Sequence, residues 1–558
     1  MGGVFTKAIS ISGLVFCLFT SGSSISLAQK SAIDNAGEKI KKFNAHSAFN
    51  RGEFKTALNL YSALLYDNKD DAGLTFWVGE CYFNLMNYTH ALEYFNLAAK
   101  INPNANPDLH LEMGRTLQIL GETEKAIAAL EEYKQTNPGA KTLKESEVDH
   151  YLGQCRTALE LTATPINVNI ENLGMSVNSE FDDKRPSITA DGKKMIFTSR
   201  RPRDKDSPVD TEGDGKYFED IYISLWDSAK KTWGEPDLVP GSINTEFHDA
   251  ACSISPDGKQ IFVYKNDPLE NRGGDILISK LSSNGRWGTP RPIGRPINTT
   301  YYEDGACLSP DGNTLYFISE RNAKGAMGHS DIYMSTRTSK GGEWAEPVNL
   351  GPEINTEYDE GGVYIAADGK TLFFCSNGHN SMGSYDIFKT VHENGKWTTP
   401  VNLGYPINTI ASEKSFVLST DGKTAYITSD RKGGLGESDI YKVDLSHYPI
   451  LEKDPAKAAA AAVTPGFSIL KGTVISNEGA SALAAELNIY DEAGQKVGNT
   501  MSHSDESGDY FITLPGNKKY TVKIELKDYK PLEESFLLPA SKDGNTYTQV
   551  KHFLMYKK

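Results

Sequence analysis

The stretch Cys252-Ser-Ile-Ser-Pro-Asp-Gly-Lys-Gln-Ile-Phe-Val263 decides the reading of this chain. Two strand-like runs flank an Asp-Gly pair, and Asp-Gly supplies the positive φ angles of a tight hairpin. The pair recurs at Asp191, Asp257, Asp311, Asp368 and Asp421, a period of 53–66 residues. A second marker, Asp-Ile followed by an aromatic residue or Leu, opens a third strand at Asp220, Asp275, Asp331, Asp386 and Asp439. A third marker is Trp with Pro three residues on: Trp233/Pro236, Trp287/Pro290, Trp344/Pro347 and Trp397/Pro400. Each leads into a fourth strand, so the period suits one four-stranded sheet. The fifth repeat lacks a Trp-Pro segment. Upstream of the first repeat stands Asn167-Val-Asn-Ile-Glu-Asn-Leu-Gly174, whose Asn172-Leu-Gly174 matches Asn349-Leu-Gly351 and Asn402-Leu-Gly404. It is predicted to supply the missing outer strand, leaving five sheets and no open edge.

Ser255-Pro-Asp-Gly-Lys259 resembles the WD40-like repeat of the TolB propeller family; Asn313 replaces the Lys in the next repeat, and the motif degenerates elsewhere. The resemblance implies a five-bladed β-propeller over 164–446. One carboxylate per repeat, Asp183, Asp249, Asp304, Glu360 and Glu413, stands seven or eight residues before the Asp-Gly. That spacing predicts a ring of acids at the start of the innermost strands. Such a ring would attract a cation or a Lys/Arg-bearing segment. The competing reading is that each acid caps backbone N–H groups and holds the ring together. An insertion carries Asp210, Glu212 and Asp214, like the first half of a calcium loop; Ile221 stands where the bidentate Glu belongs.

Upstream, Ala57, Ala91 and Ala126 recur at 34 and then 35 residues. Gly79-x-x-Tyr82, Phe95, Ala98 and Pro103 fill out one unit, and Gly114 and Pro138 mark the next. Small residues sit where paired helices cross, and Pro stops a helix. The pattern resembles the tetratricopeptide repeat (TPR) and implies an α-solenoid over 38–160, with Tyr151-Leu-Gly-x-Cys155 starting a closing helix. The repeat's geometry implies a groove for protein segments lined by Lys42, His46, Glu80, Phe83, Arg115 and Gln118. Downstream, an Ala- and Pro-rich linker over 447–466 precedes alternating strands. Gly472-Thr-Val, Ser507-Gly-Asp-Tyr-Phe-Ile-Thr-Leu-Pro515 and Tyr520-Thr-Val-Lys-Ile resemble the carboxypeptidase regulatory-like domain, implying a transthyretin-like β-sandwich over 467–558.

The whole chain has 558 residues, with 58 Lys+Arg against 73 Asp+Glu, a net charge of −15. That balance argues against nucleic acid, which needs a basic footprint. Ala8 to Thr20 is apolar but short for a bilayer span. With Ser26-Leu27-Ala28 it reads as a signal peptide over 1–28, and no later segment is apolar enough to span. Phe16 before Cys17 argues against a lipid anchor. The remaining five Cys are scattered, without CxxC pairs, and read as buried small hydrophobes. No Gly-x-Ser-x-Gly, His-Glu-x-x-His or phosphate-binding Gly-Lys-Ser/Thr loop is present. No cofactor is expected, and no catalytic residue is assigned.

The module order resembles the PorE family of Bacteroidetes envelope proteins, associated with type IX secretion. That family continues into an OmpA-like domain with no counterpart in this sequence, so peptidoglycan binding does not carry over. The resemblance implies a non-catalytic scaffold in the periplasm or at the outer membrane, whose partners are envelope or secretion proteins, an OmpA-like or outer-membrane partner among them. The alternative is a glycan-binding or glycoside-hydrolysing five-bladed propeller, which needs paired carboxylates.

Overall fold

The computed structural model describes residues 27–136, 143–210, 215–265, 274–337, 342–452, 466–502, 507–540 and 546–558. The leader expected over 1–28 falls almost wholly outside them. The chain forms two compact units, Met1–Ala140 and Lys141–Lys558.

The first unit is three helical hairpins: α1 (Leu27–Asn50) with α2 (Phe54–Asp67), α3 (Ala72–Asn84) with α4 (Tyr88–Ile101), and α5 (Leu109–Leu120) with α6 (Thr123–Thr136). Side-chain caps start both helices of the second hairpin: Asp71 accepts from the Leu74 N–H at 2.9 Å, and Asn87 from that of His90 at 3.3 Å. Ala57, Ala91 and Ala126 are fully buried at the crossings. A Cβ on Gly79 would lie 2.7 Å from the Phe95 ring, and one on Gly114 2.5 Å from Leu130. Those two glycines therefore set how closely the paired helices approach.

The second unit opens with α7 (Leu143–Ala163) and continues into β-structure. Five sheets follow in order. Their first strands are Asp183–Ile188, Ala250–Ile254, Glu303–Leu308, Glu360–Ile365 and Glu413–Leu418. Each pairs antiparallel with a second strand, which pairs with a third: Asp220–Asp227, Asp275–Lys280, Asp331–Thr336, Asp386–Glu393 and Asp439–Asp444. Each first strand lies beside the next sheet's first strand, and the fifth lies beside the first, so the five close on themselves. Asn169–Asn172 pairs antiparallel with Asp439–Asp444, Asn172 opposite Tyr441. The fifth sheet thus takes its outer strand from before the first, as the Asn-Leu-Gly match predicts.

A repeated clamp ties the sheets together. Asn244, Asn298, Asn355 and Asn408 each use the side-chain amide to donate to and accept from one backbone residue of a third strand: Ile221, Ile276, Ile332 and Ile387. Asn178 does the same to Ile440, at 2.9 Å both ways, across 262 residues of chain. It also donates to Asn172 Oδ1 at 2.9 Å.

After the fifth sheet the chain is held back, because Lys389 Nζ donates to the carbonyls of Ile450 and Glu452 at 2.9 and 2.7 Å. Most of the expected linker lies outside the described residues. Two further four-stranded sheets then share one core of Leu470, Val474, Leu487, Val522, Phe536 and Phe553. They rest on the Asp-Gly side of the ring. Thr513 Oγ1 donates to Ala367 O at 2.7 Å, the Phe467 N–H donates to Thr420 O at 3.3 Å, and Lys259 pairs with Asp509.

Candidate binding surfaces

The acids at the start of the first strands are buried. Asp183, Asp249 and Glu413 are 0% exposed, Glu303 0% and Glu360 1%. Each accepts from the backbone N–H and hydroxyl of the Ser or Thr four residues earlier: Ser179, Thr245, Thr299, Thr356 and Thr409. In the third sheet the residue in this position is Glu303, and the assignment of Asp304 from spacing is one residue out of register. Cations complete most sites. Arg201 reaches Asp183 at 2.6 Å, Lys265 reaches Asp249 at 2.8 Å, Arg321 reaches Glu303 at 3.4 Å and Arg431 reaches Glu413 at 3.1 Å. The acids therefore do not stand as an open ring of like charges. Hydroxyls, backbone amides and cations neutralise them in place, because a buried carboxylate without partners is expensive.

Glu360 is the exception. Gly378 occupies the place of Arg201, Arg321 and Arg431, and Glu360 meets only Thr356 and Ser376 at 2.8–2.9 Å. Burial pushes its carboxyl up to about 7. Asp386, in the same sheet, is pushed up to about 8 by burial and by the Glu413 carboxylate. Burial outweighs Arg431 and raises Glu413 as well.

Asp304 makes a different contact. Arg185, on the first strand of the first sheet, grips it with both terminal nitrogens at 2.8 and 2.5 Å. Tyr302 donates its hydroxyl at 2.8 Å and Cys252 its thiol at 3.3 Å. Burial favours the protonated acid, but the guanidinium overrides it and holds Asp304 below the usual carboxylate range. Arg185 has φ +56°, at the bulge of its strand. One ion pair thus staples the first strands of the first and third sheets, with the second contributing Cys252.

Of the calcium candidates, Glu212 and Asp214 lie outside the described residues. Asp210 Oδ2 stands 3.4 Å from His248 Nε2, and His248 Nδ1 stands 3.4 Å from Glu219, which Lys184 meets at 2.6 Å. Among the described residues no group of three or more His, Cys, Asp or Glu is arranged to hold a metal ion. Cys81, Cys155, Cys307 and Cys375 are buried free thiols.

In the helical unit, Lys42 pairs with Glu38 at 3.0 Å and Asp71 at 3.1 Å. His46 Nδ1 lies 3.1 Å from the Tyr61 hydroxyl, its ring edge-on to Trp77. Arg115 stacks over Phe83 at 4.9 Å and holds Glu112 at 2.9 Å. Glu80 is half-buried. Gln118 is 6% exposed and has little left to present to a ligand. The structure brings Phe83 and Arg115 together, and Lys42 and His46 stand one turn apart on α1.

The tetratricopeptide repeat family matches residues 74–105, the α3–α4 hairpin. No curated protein matches the chain significantly. Similar solved structures are TPR proteins. The type III secretion chaperone SycD of Yersinia enterocolitica, in complex with a peptide of the translocator YopD, is 18% identical; the match covers 21% of this chain and 91% of that one, with a TM-score of 0.20. The first TPR of Spaghetti, bound to an HSP90 peptide, is 20% identical over 22% of this chain and 93% of that one, with a TM-score of 0.20. YrrB, a TPR protein with an unusual peptide-binding site, is 21% identical over 25% and 70%, with a TM-score of 0.21. The chain therefore carries TPR helical repeats at its N-terminal end, followed by a large β-rich region.

Proposed function

We propose that the chain is a non-catalytic scaffold of the cell envelope, exported to the periplasm, that gathers protein partners on its TPR hairpins and on a five-bladed propeller. In this reading the five sheets are the blades, and the last two sheets are a transthyretin-like, carboxypeptidase regulatory-like sandwich. The role is linked to type IX secretion or outer-membrane organisation, on the resemblance of module order alone. One observation carries the scaffold reading. The repeated acids, amides and hydroxyls of the ring are committed to one another, so the repeat builds a stiff platform. A glycosidase would need accessible paired carboxylates, whereas these acids are buried in separate sheets. No helix among the described residues is long and apolar enough to cross a membrane.

The test is crosslinking with mass spectrometry in the native cell. The expected result is a small, reproducible set of envelope or secretion proteins crosslinked to the helical hairpins and to ring loops. Release of reducing sugar from an envelope polysaccharide by the purified chain would overturn the reading, as would a crosslink map containing only this chain.

A further inference from the structure

A cavity of about 910 Å³ is lined by the outer edge of the second sheet and, from the third, by Arg337, Gly342, Glu343 and Trp344. Among the described residues four cations line it, Lys280, Arg291, Arg295 and Arg337, against one acid, Glu343. Such a balance stands out in a chain of net charge −15. Arg337 is fixed, with its guanidinium over the Trp344 ring at 4.5 Å and donating to Gly312 O at 2.9 and 2.7 Å. Lys280, Arg291 and Arg295 have exposed side chains and form no ion pair with another described residue.

We propose that this cavity binds an extended acidic segment of a partner protein. The proposal deepens the scaffold reading and rests on it. The Arg fork matches a carboxylate with two parallel hydrogen bonds, and two of the three cations outside the fixed Arg337 contact are Arg291 and Arg295. Ile278, Pro292, Ile293 and Pro296 line the same cavity and suit the apolar side chains of a peptide, which a single phosphate lacks. Trp344 already carries Arg337 on its ring, so it does not offer a free stacking floor to a sugar. The size fits: ligand cavities run to about 1,000 Å³, and this one is near the upper end.

The test measures fluorescence anisotropy of a fluorescein-labelled peptide of three Glu-Leu repeats with the purified full chain. Binding is expected to weaken with added salt, and to fall by about tenfold or more in Arg291→Glu/Arg295→Glu. The control Lys55→Glu/Lys100→Glu makes the same change in net charge on the helical unit and is expected to bind as wild type. All four side chains are exposed or half-exposed, so folding should be preserved, and circular dichroism checks it. No binding by wild type, or equal loss in the control, would overturn the proposal. So would tighter binding of a galacturonate trimer than of the peptide, which would make the site one for acidic glycans. None of these results would alter the crosslinks expected of a scaffold on the helical hairpins, so the two readings fail separately.

Discussion

Replacing Asn178 with Ala should open the ring at its seam. Asn178 is 2% exposed, and its amide satisfies both the N–H and the C=O of Ile440 at 2.9 Å. Alanine leaves the buried Ile440 N–H without a partner, at about 1–3 kcal/mol, while the Ile440 C=O keeps the Leu173 N–H at 3.1 Å. The expected cost is about 1–3 kcal/mol of local stability, equivalent to about fivefold to about 150-fold faster amide exchange in the seam. The clamps inside the ring differ in one respect. Asn298 and Ile276 are 22 residues apart, so the chain itself keeps the loop near its partner. At the seam the covalent path runs through 262 residues. A broken clamp there should also release Asn169–Asn172, which pairs with the same third strand. Hydrogen exchange with mass spectrometry resolves this directly. In Asn178→Ala, peptides covering 169–172 and 439–444 should exchange faster together. In Asn298→Ala, a smaller rise should be confined to residues near Ile276. Equal rises at the two sites, or unchanged protection of 169–172, would refute the seam argument.

Two further outcomes follow from buried charge. Arg185→Ala leaves Asp304 buried without a cation, with Tyr302, Cys252 and the Gly305 N–H as its donors, and should cost about 3–5 kcal/mol in urea unfolding; the double change Arg185→Met/Asp304→Leu should recover most of it. Retained stability in Arg185→Ala would show that the pair is not a staple. Tryptophan fluorescence suits the measurement, since five of the six Trp lie in the second unit and only Trp77 in the first. Asp386 and Glu360 stay protonated in the fold up to about 8 and about 7. An unfolded carboxyl ionises near its ordinary value of about 4, so the folded chain binds more protons in between, and their contribution is lost as pH rises through that window. Stability relative to Asp386→Asn should therefore decline from about pH 5 to about pH 8; a flat difference would place the Asp386 carboxyl at its ordinary value.

Much of this architecture stands in the sequence because it repeats. The Asp-Gly turns, the Asp-Ile strand starts and the Asn-Leu-Gly match locate the sheets and the borrowed strand. The misplaced Asp304 arose where two acids, Glu303 and Asp304, stand side by side. A constant offset of eight residues from the Asp-Gly selects Glu303, as does Ile-Asn-Thr-x-x-x-Glu. The partner cations were also legible. Ser199-Arg-Arg201, Ser319-Glu-Arg321 and Ser429-Asp-Arg431 put Arg two residues after the Ser at the end of the second strand. What spacing cannot give is burial, and burial separates an attractive ring of charges from a set of internal pairs. The closing helix shows the same limit. Tyr151-Leu-Gly reads like Gly79 and Gly114, yet a Cβ on Gly153 would meet nothing within 4 Å. The contacts of Thr513 and Lys259 occur once each and follow no period, so the seating of the last two sheets on the ring left no mark in the pattern.

The fourth sheet breaks the rule kept by the first, third and fifth, and it does so where α7 sits. Arg is absent at 378, and a Cβ there would lie 2.3 Å from Thr356 Oγ1. His379, at φ +49°, takes over the arginine's contact, its Nε2 meeting Ile354 O at 2.9 Å. Burial lowers the His379 pKa, so it restores the hydrogen bond without the charge. The strand end freed in this way receives α7. Gln154 donates to Ser381 Oγ at 3.0 Å, and His150 stacks on Tyr358 with ring centroids 4.0 Å apart. An arginine at 378 could not be built without moving Thr356, which anchors Glu360. The loss of a cation from one repeat and the docking of a helix on that repeat are then two sides of one packing solution. The ring thereby acquires one sheet whose buried acid has no cation, and the raised pKa of the Glu360 carboxyl is its electrostatic consequence.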